Sequence, residues 1–245
     1  MHRPSDSHSR SSTSLNAIAA RTGRGVRIAV IDSGVNVGHP HIRGVFGGVT
    51  IGDEIEEGVY IDLLGHGTAV MAAIQEKAPS AEYYAVRVFR SSLSTHIEYL
   101  LKAIEWCIEK RVHVINLSLG TTNPAHERRL SMAVAATAKA GAIIVSAREA
   151  NGARALPGTI PGVVGVGLDW DCPREAYRSR TTPAGLEWCT SGYPRDLPGL
   201  PREQNLHGIS FAVANISGFV ACACEGLEDR SYRSVCSALT GLSMI

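Results

Sequence analysis

Apolar residues in this chain fall into short continuous runs separated by segments with helical spacing, and the two kinds alternate from about residue 26 to residue 224. The run 26–31 is β-branched, mostly apolar and ends in Asp32, so it predicts a buried parallel strand. Residues 67–76 have helical composition and follow a Gly-His-Gly turn, 81–89 read as the next strand, and 94–110 as an amphipathic helix. In that helix Ile97, Leu100, Leu101, Ile104 and Ile108 share one face. A strand over 112–117, a helix over 128–140 stopped by Gly141, a strand over 142–146 and an apolar segment over 162–168 continue the pattern. Residues 211–224 read as a core helix.

Strands alternating with helices of this length require right-handed crossovers, which predicts an α/β fold in three layers: a mostly parallel sheet with helices on both faces. Residues 173–204 are rich in Pro, Gly and Arg and weakly periodic, and predict loops and short edge strands. Residues 1–15 are polar, and 15–21 fit a short helix before Gly23 and Gly25. The expected organisation is a flexible lead-in over 1–22 and a single domain over 23–245, without internal repeats.

Composition narrows the function classes. With 24 basic and 23 acidic residues there is no net field to attract nucleic acid or an anionic membrane. No apolar run reaches the roughly 18–20 residues that a membrane-spanning helix needs. The first twenty residues are polar and Ser-rich and lack the apolar core of a secretory signal, so a cytoplasmic location is expected. Cys107, Cys172, Cys189, Cys222, Cys224 and Cys236 contain no CxxC pair, and in a reducing compartment they are expected as free thiols without a metal. His39 and His41 lack a third ligand, and Asp53, Glu54, Glu56 and Glu57 read as a solvated loop.

The chemistry-bearing candidates are Asp32 at the end of the first strand, and His66 and Ser210, each opening a helix beside glycines. Ligands of open α/β sheets gather outside the carboxyl ends of the strands. A serine hydroxyl needs a base within hydrogen-bond reach, and that base needs an acceptor to fix its tautomer. Taken singly, each block reads as a helix cap or a turn. Together, Ile31-Asp32-Ser33-Gly34, Gly65-His66-Gly67-Thr68 and Gly208-Ile209-Ser210-Phe211-Ala212 resemble, in that order, the Asp, His and Ser blocks of the subtilisin-like serine proteases. The resemblance runs from about Gly23 to Cys224 and implies the subtilisin-like fold, Ser210 as nucleophile, His66 as general base then acid, and Asp32 orienting His66. Gly38-His39-Pro40-His41-Ile42 looks like the His-Pro turn of that family. The stretch 114–120 resembles its substrate-pairing strand, which puts Ser118, Leu119 and Gly120 against an extended peptide or protein substrate.

Four departures qualify the resemblance. Register places Glu149 where the family carries an Asn that donates to the oxyanion, and an ionised Glu cannot donate. Three accounts stand: Glu149 protonated by burial, Asn151 brought in by a two-residue shift, or a slow enzyme relying on donors such as the Ser210 backbone N–H. Arg148 falls where the family has a pocket-lining Gly; it obstructs the pocket, pairs with Glu149, selects an acidic substrate residue, or turns to solvent. After Ser210 the family commonly runs Met-Ala-Ala-Pro-His-Val-Ala-Gly, whereas this chain has Phe211-Ala212-Val213-Ala214-Asn215-Ile216-Ser217-Gly218, so the Pro and His are replaced. Finally, only about 25 residues precede the Asp strand, too few for the inhibitory domain of secreted relatives, so an intracellular protease made in near-mature form is expected.

No cofactor is expected, and structural calcium, common in such relatives, is not assignable to residues here. The functional expectation is limited proteolytic processing, such as leader removal from a modified peptide. A peptide ligase or macrocyclase on the same residues, and a peptide-binding pseudoprotease, are the alternatives. The sequence assigns no oligomeric state.

Overall fold

The computed structural model describes residues 21–182 and 185–241. The expected lead-in therefore lies almost wholly outside the described residues, as does all but the last residue of the helix expected over 15–21. Among the described residues one nine-stranded sheet organises the chain. Its strands are β1 (Arg27–Asp32), β2 (Gly47–Ile51), β3 (Ile55–Glu57), β4 (Glu82–Arg87), β5 (Val114–Leu117), β6 (Ile143–Ala147), β9 (Val164–Leu168), β10 (Arg178–Thr182) and β11 (Gly185–Thr190). A separate two-stranded hairpin joins β7 (Glu149–Ala150) to β8 (Ala153–Arg154). The helices are α1 (His66–Lys77), α2 (Ile97–Glu109), α3 (Glu127–Lys139), α4 (Ile209–Cys224) and α5 (Tyr232–Thr240).

The spatial order is β10-β11-β9-β6-β5-β1-β4-β2-β3, parallel except for the hairpin pairs at the two ends. One face carries α1, α4 and α5, whose Val70, Met71, Phe211, Ile216, Val235 and Leu239 pack with Ile28, Val30 and Val145. The other carries α2 and α3, with Leu100, Ile104, Leu130 and Val134 against Ile31, Ile115 and Ile144. The three-layer α/β architecture follows from the buried strands: coverage on both faces leaves them no polar side to alternate.

Several expectations are corrected. The helix expected from residue 94 begins at Ile97, because His96 holds an extended backbone, and the strand expected from 112 begins at Val114. The acidic stretch is not a solvated loop throughout: Glu56 and Glu57 lie on β3, Glu57 accepts from Trp106 Nε1 at 2.7 Å, and Asp53 accepts from Tyr99 Oη at 2.5 Å. Within 173–204, β11 is not an edge strand, since it sits between β9 and β10 with Trp188 fully buried. β2, β3 and α5 were not anticipated; α5 is started by Ser231, whose hydroxyl accepts from Ser234 N at 3.3 Å.

Candidate active site

β1 delivers Asp32, fully buried, to the carboxyl end of the sheet, where its Oδ1 accepts from Ser33 N at 2.7 Å and faces His66 Nδ1 at 2.8 Å. The approach of α1 to β1 depends on Gly67. A Cβ there would lie 2.3 Å from the Gly34 carbonyl oxygen and 3.2 Å from Asp32 Cβ, so a larger residue would force the Asp and His elements apart. The loop before His66 is braced by Asp62, whose Oδ1 accepts from Leu64 N and Gly65 N, both at 2.9 Å. Its Oδ2 accepts from Thr68 N at 2.9 Å and Thr68 Oγ1 at 2.6 Å. Burial works to raise the Asp62 pKa, but the Thr68 and Leu64 bonds outweigh it and the net shift is downward. For His66 burial works to lower the pKa, yet the bond to Asp32 and the charges of Asp32 and Asp62 leave it above the ordinary histidine value. The imidazole is therefore held in place and made a better proton acceptor.

Ser210 sits in the first turn of α4, where backbone N–H groups lack intrahelical partners. The turn into α4 needs Gly208, whose φ of 142° lies in the region that favours glycine, and whose N–H donates to Gly192 O at 2.8 Å. The Phe211 ring lies 5.5 Å, centroid to centroid, from that of His66, which brings the start of α4 to the start of α1. Ser210 Oγ donates to Ser118 O at 3.2 Å, and among the described residues no hydrogen bond joins it to His66.

Ser118 is tied to Ser210 in return. Ser217 Oγ donates to Asn116 Oδ1 (3.0 Å), Asn116 Nδ2 to Ser118 Oγ (2.9 Å), and Ser118 Oγ to Ser210 O (3.2 Å). Asn116 and Ser217 are fully buried. The structure thus adds Asp62, Asn116 and Ser217 to the residues singled out from sequence. The visible signal for Ser217 was a polar side chain inside an otherwise apolar helix; Asn116 meets Ser217 far along the chain, and Asp62, whose partners are local, sits in a loop with no recognisable motif.

Leu119 and Gly120 line a cavity of about 200 Å³ together with Phe89, Ile97 and Leu100. Next to them Thr121 pairs with Leu156 in both directions at 2.9 Å, locking this edge to the segment after β8.

The oxyanion candidates lie on the β7–β8 hairpin. Glu149 is exposed on β7, so the burial required by the protonated-acid account is absent. Asn151 occupies the tip of the β7–β8 hairpin with φ 52°, followed by Gly152 at 76°. That is the Asn-Gly pair of a tight hairpin turn. Among the described residues no hydrogen bond joins either side chain to Ser210. Arg154 of β8 clamps the hairpin to Glu127 at 2.6 Å.

Arg148 does not turn to solvent. It is 9% exposed, its stem lies where a Cβ on Gly165 would meet it at 2.7 Å, and its Nη1 donates to Leu186 O at 3.0 Å. The guanidinium therefore supports β9 and β11. Arg148→Ala is expected to destabilise the fold by about 2–4 kcal/mol, from a lost charged hydrogen bond and a cavity, without altering residue preference. Denaturant unfolding and cleavage profiling of the variant check both halves; a changed preference at unchanged stability would return Arg148 to the substrate pocket.

Among the described residues no group of three or more His, Cys, Asp and Glu side chains could hold a metal, and none of the helices is long and apolar enough to cross a membrane. The acidic side chains nearest to a calcium set diverge: Asp53 serves Tyr99, Glu57 serves Trp106 and Lys110, and Glu56 faces Arg90.

Residues 23–239 match the model of the subtilase family of peptidases. Subtilisin E of Bacillus subtilis is 33% identical over 79% of the chain and 52% of its own length. Subtilisin Savinase of Lederbergia lenta is 32% identical over 82% of the chain and 76% of its own length. The chain thus spans about half the length of most of the curated relatives reported with these. Among solved structures, that of the prenylagaramide maturation protease PagA aligns with TM-score 0.66 at 22% identity, over 86% of this chain and 80% of that one. With the Asp, His and Ser blocks gathered at the carboxyl end of a subtilisin-like sheet and the family model matched along nearly all the described residues, the chain belongs to the subtilase family.

Proposed function

We propose that this protein is a serine endopeptidase in which Ser210 attacks the peptide carbonyl, His66 takes its proton and passes it to the leaving amine, and Asp32 holds the imidazole. The observation that carries this is the 2.8 Å contact of His66 Nδ1 with the buried Asp32 carboxylate, which leaves Nε2 as the proton-accepting nitrogen. In the proposed cycle the Ser210 hydroxyl rotates from Ser118 O to His66. Attack forms the C–O bond and places negative charge on the former carbonyl oxygen, within reach of the Ser210 backbone N–H at the start of α4. Collapse releases the amine with the proton from His66⁺. Water then repeats the sequence to free the carboxylic acid and restore the serine.

The finer reading is limited processing of one or a few peptides, such as leader removal from a modified peptide, by a single catalytic domain over 23–245 in the cytoplasm. An exposed Glu149 supplies no donor, and losing one oxyanion donor costs about 10²–10³ in turnover, which suits a selective enzyme better than a digestive one. The likeness to the prenylagaramide maturation protease PagA points the same way. Six buried free thiols accord with a reducing compartment. Substrates are taken as peptides pairing with 118–120, with no nucleic acid or membrane partner.

A second reading, peptide binding without cleavage, is favoured by the Ser210 hydroxyl resting on Ser118 O rather than on His66. A fluorophosphonate probe and a peptide library read by mass spectrometry separate the two. Covalent labelling at Ser210 with hydrolysed products is expected; retention of intact peptide on an unlabelled protein would leave the binding module. We also propose that turnover needs no metal: chelation is expected to leave rate and melting temperature unchanged, and loss of either on chelation, restored by calcium, would refute this.

A further inference from the structure

A cavity of about 280 Å³ flanks the start of α1 and shares Asp62, Gly65 and Thr68 with the loop that braces His66. Its floor is the face of α1 bearing Thr68, Ala69 and Ala72, directly after His66, and its rim includes Leu206, four residues before Ser210. None of Ser118, Leu119 and Gly120 lines it. A peptide whose acyl half pairs with 118–120 would carry its leaving half past the start of α4, toward Leu206 and this opening.

The chemistry of its walls is specific. His39, His41 and Arg195 converge on it. The acid among its lining residues, Asp62, spends both oxygens on four hydrogen bonds to 64–68, so it is engaged by the α1 loop and does not pair with Arg195. Behind the wall, Glu76 is shared: Arg174 bonds it closely, Lys77 lies at 3.5 Å, and Arg195 reaches it only at 3.9 Å, beyond hydrogen-bond distance. Asp196, the next acid, faces Arg174 and Arg202. The Arg195 guanidinium thus has its bidentate capacity unspent among the described residues. Burial, then the charges of Arg195 and His39, lower the His41 pKa against the opposing pull of Glu76, so His41 is favoured as a neutral hydrogen-bonding ring beside the Arg195 cation. Leu206, 49% exposed, with Leu197, Ala69 and Ala72, adds apolar wall for the stem of a short acid.

We propose that this cavity binds a carboxylate borne by the leaving-group half of the peptide substrate, with Arg195 as principal partner and His39 and His41 beside it. The inference rests on the endopeptidase reading for the direction of the peptide, but not for the binding itself. The source is a Glu or Asp side chain or a free C-terminus, which share one chemistry.

The test uses the full chain carrying Ser210→Ala, so that binding is read without cleavage. One peptide spanning the scissile bond is compared by calorimetry in three forms: C-terminal amide with Gln on the leaving side, the same with Glu, and the Gln peptide with a free C-terminus. A preference of about tenfold for at least one carboxylate form over the amide is expected, and Arg195→Gln should abolish the preference. Which form is preferred identifies the source. His41→Asn is a second, milder variant expected to reduce the preference part of the way, with melting temperatures confirming both folds. Equal affinity for all three peptides, or a preference that survives Arg195→Gln, would overturn the proposal. Carboxylate preference in a chain whose wild type never hydrolyses peptide would keep this site and remove the endopeptidase reading; hydrolysis indifferent to the carboxylate would do the reverse.

Discussion

Ser210→Ala is expected to lower kcat on a cleaved peptide by about 10⁶-fold, the scale on which loss of the nucleophile falls in subtilisin itself. Among the described residues Ser118 Oγ, the nearest hydroxyl in the bonded network, accepts from Asn116 and donates to Ser210 O and is not joined to His66, so it is not placed to take over the attack. Because nucleophile and base act as a unit, His66→Ala alone and the double variant should fall to nearly the same residual rate. The residual is what substrate alignment and the first-turn N–H groups of α4 supply alone. Single-turnover kinetics on a peptide identified from the library measures this, with binding to the Ser210→Ala protein retained. Cleavage within tenfold of wild type in that variant would exclude Ser210 as nucleophile.

The fold was largely legible because buried parallel strands announce themselves as uninterrupted apolar runs, as in β1, β5 and β6. The elements that escaped lack that signature. β2 opens with two glycines, β3 has three exposed residues, and α5 stands beyond the last recognisable block. The site was legible as three blocks because each is constrained locally, by a strand end or a helix start with a glycine that admits close approach. What holds the blocks together was not. Asp62 braces its own loop locally, but Ser217 and Asn116 meet across about a hundred residues, and Arg195 faces a cavity built from three separate segments. Such contacts follow from the crossovers, not from any window of sequence.

The region around Glu149 shows the complementary failure. Aligning by register treated 145–152 as one continuous descent from the strand, whereas the chain turns back at Asn151-Gly152 to make a hairpin. The dipeptide is the strongest short hairpin signal available, and it accounts for the backbone at Asn151 without reference to a donor role. Arg148, one residue earlier at the bend between β6 and β7, is turned inward, with its stem against Gly165 and its Nη1 on Leu186 O.

Asp32→Asn is expected to lower kcat by about 10⁴-fold with little change in fold or peptide affinity. Asp32 Oδ1 accepts from both Ser33 N and His66 Nδ1, while Oδ2 is buried without a partner. Because both donors meet the same atom, an amide in this place presents them either its oxygen or its NH₂. If the NH₂ meets the imidazole, Nδ1 becomes the acceptor and Nε2 keeps the proton, so His66 cannot receive one from Ser210. The wild-type rate should rise with pH along a limb centred above the ordinary histidine value of 6.5, because catalysis needs neutral His66 and Asp32 raises its pKa. In Asp32→Asn that centre should move down, since the bond and charge that opposed burial are gone. Stability carries the same sign. A pKa raised in the folded state stabilises the protein fully below the unfolded histidine pKa and ceases to do so as pH rises through the folded value; the variant should lose this increment. Chemical-shift titration of the His66 ring, with rates measured from pH 5 to 9 on both proteins, separates the tautomer argument from simple misfolding. An unchanged His66 titration in Asp32→Asn would remove Asp32 from the site.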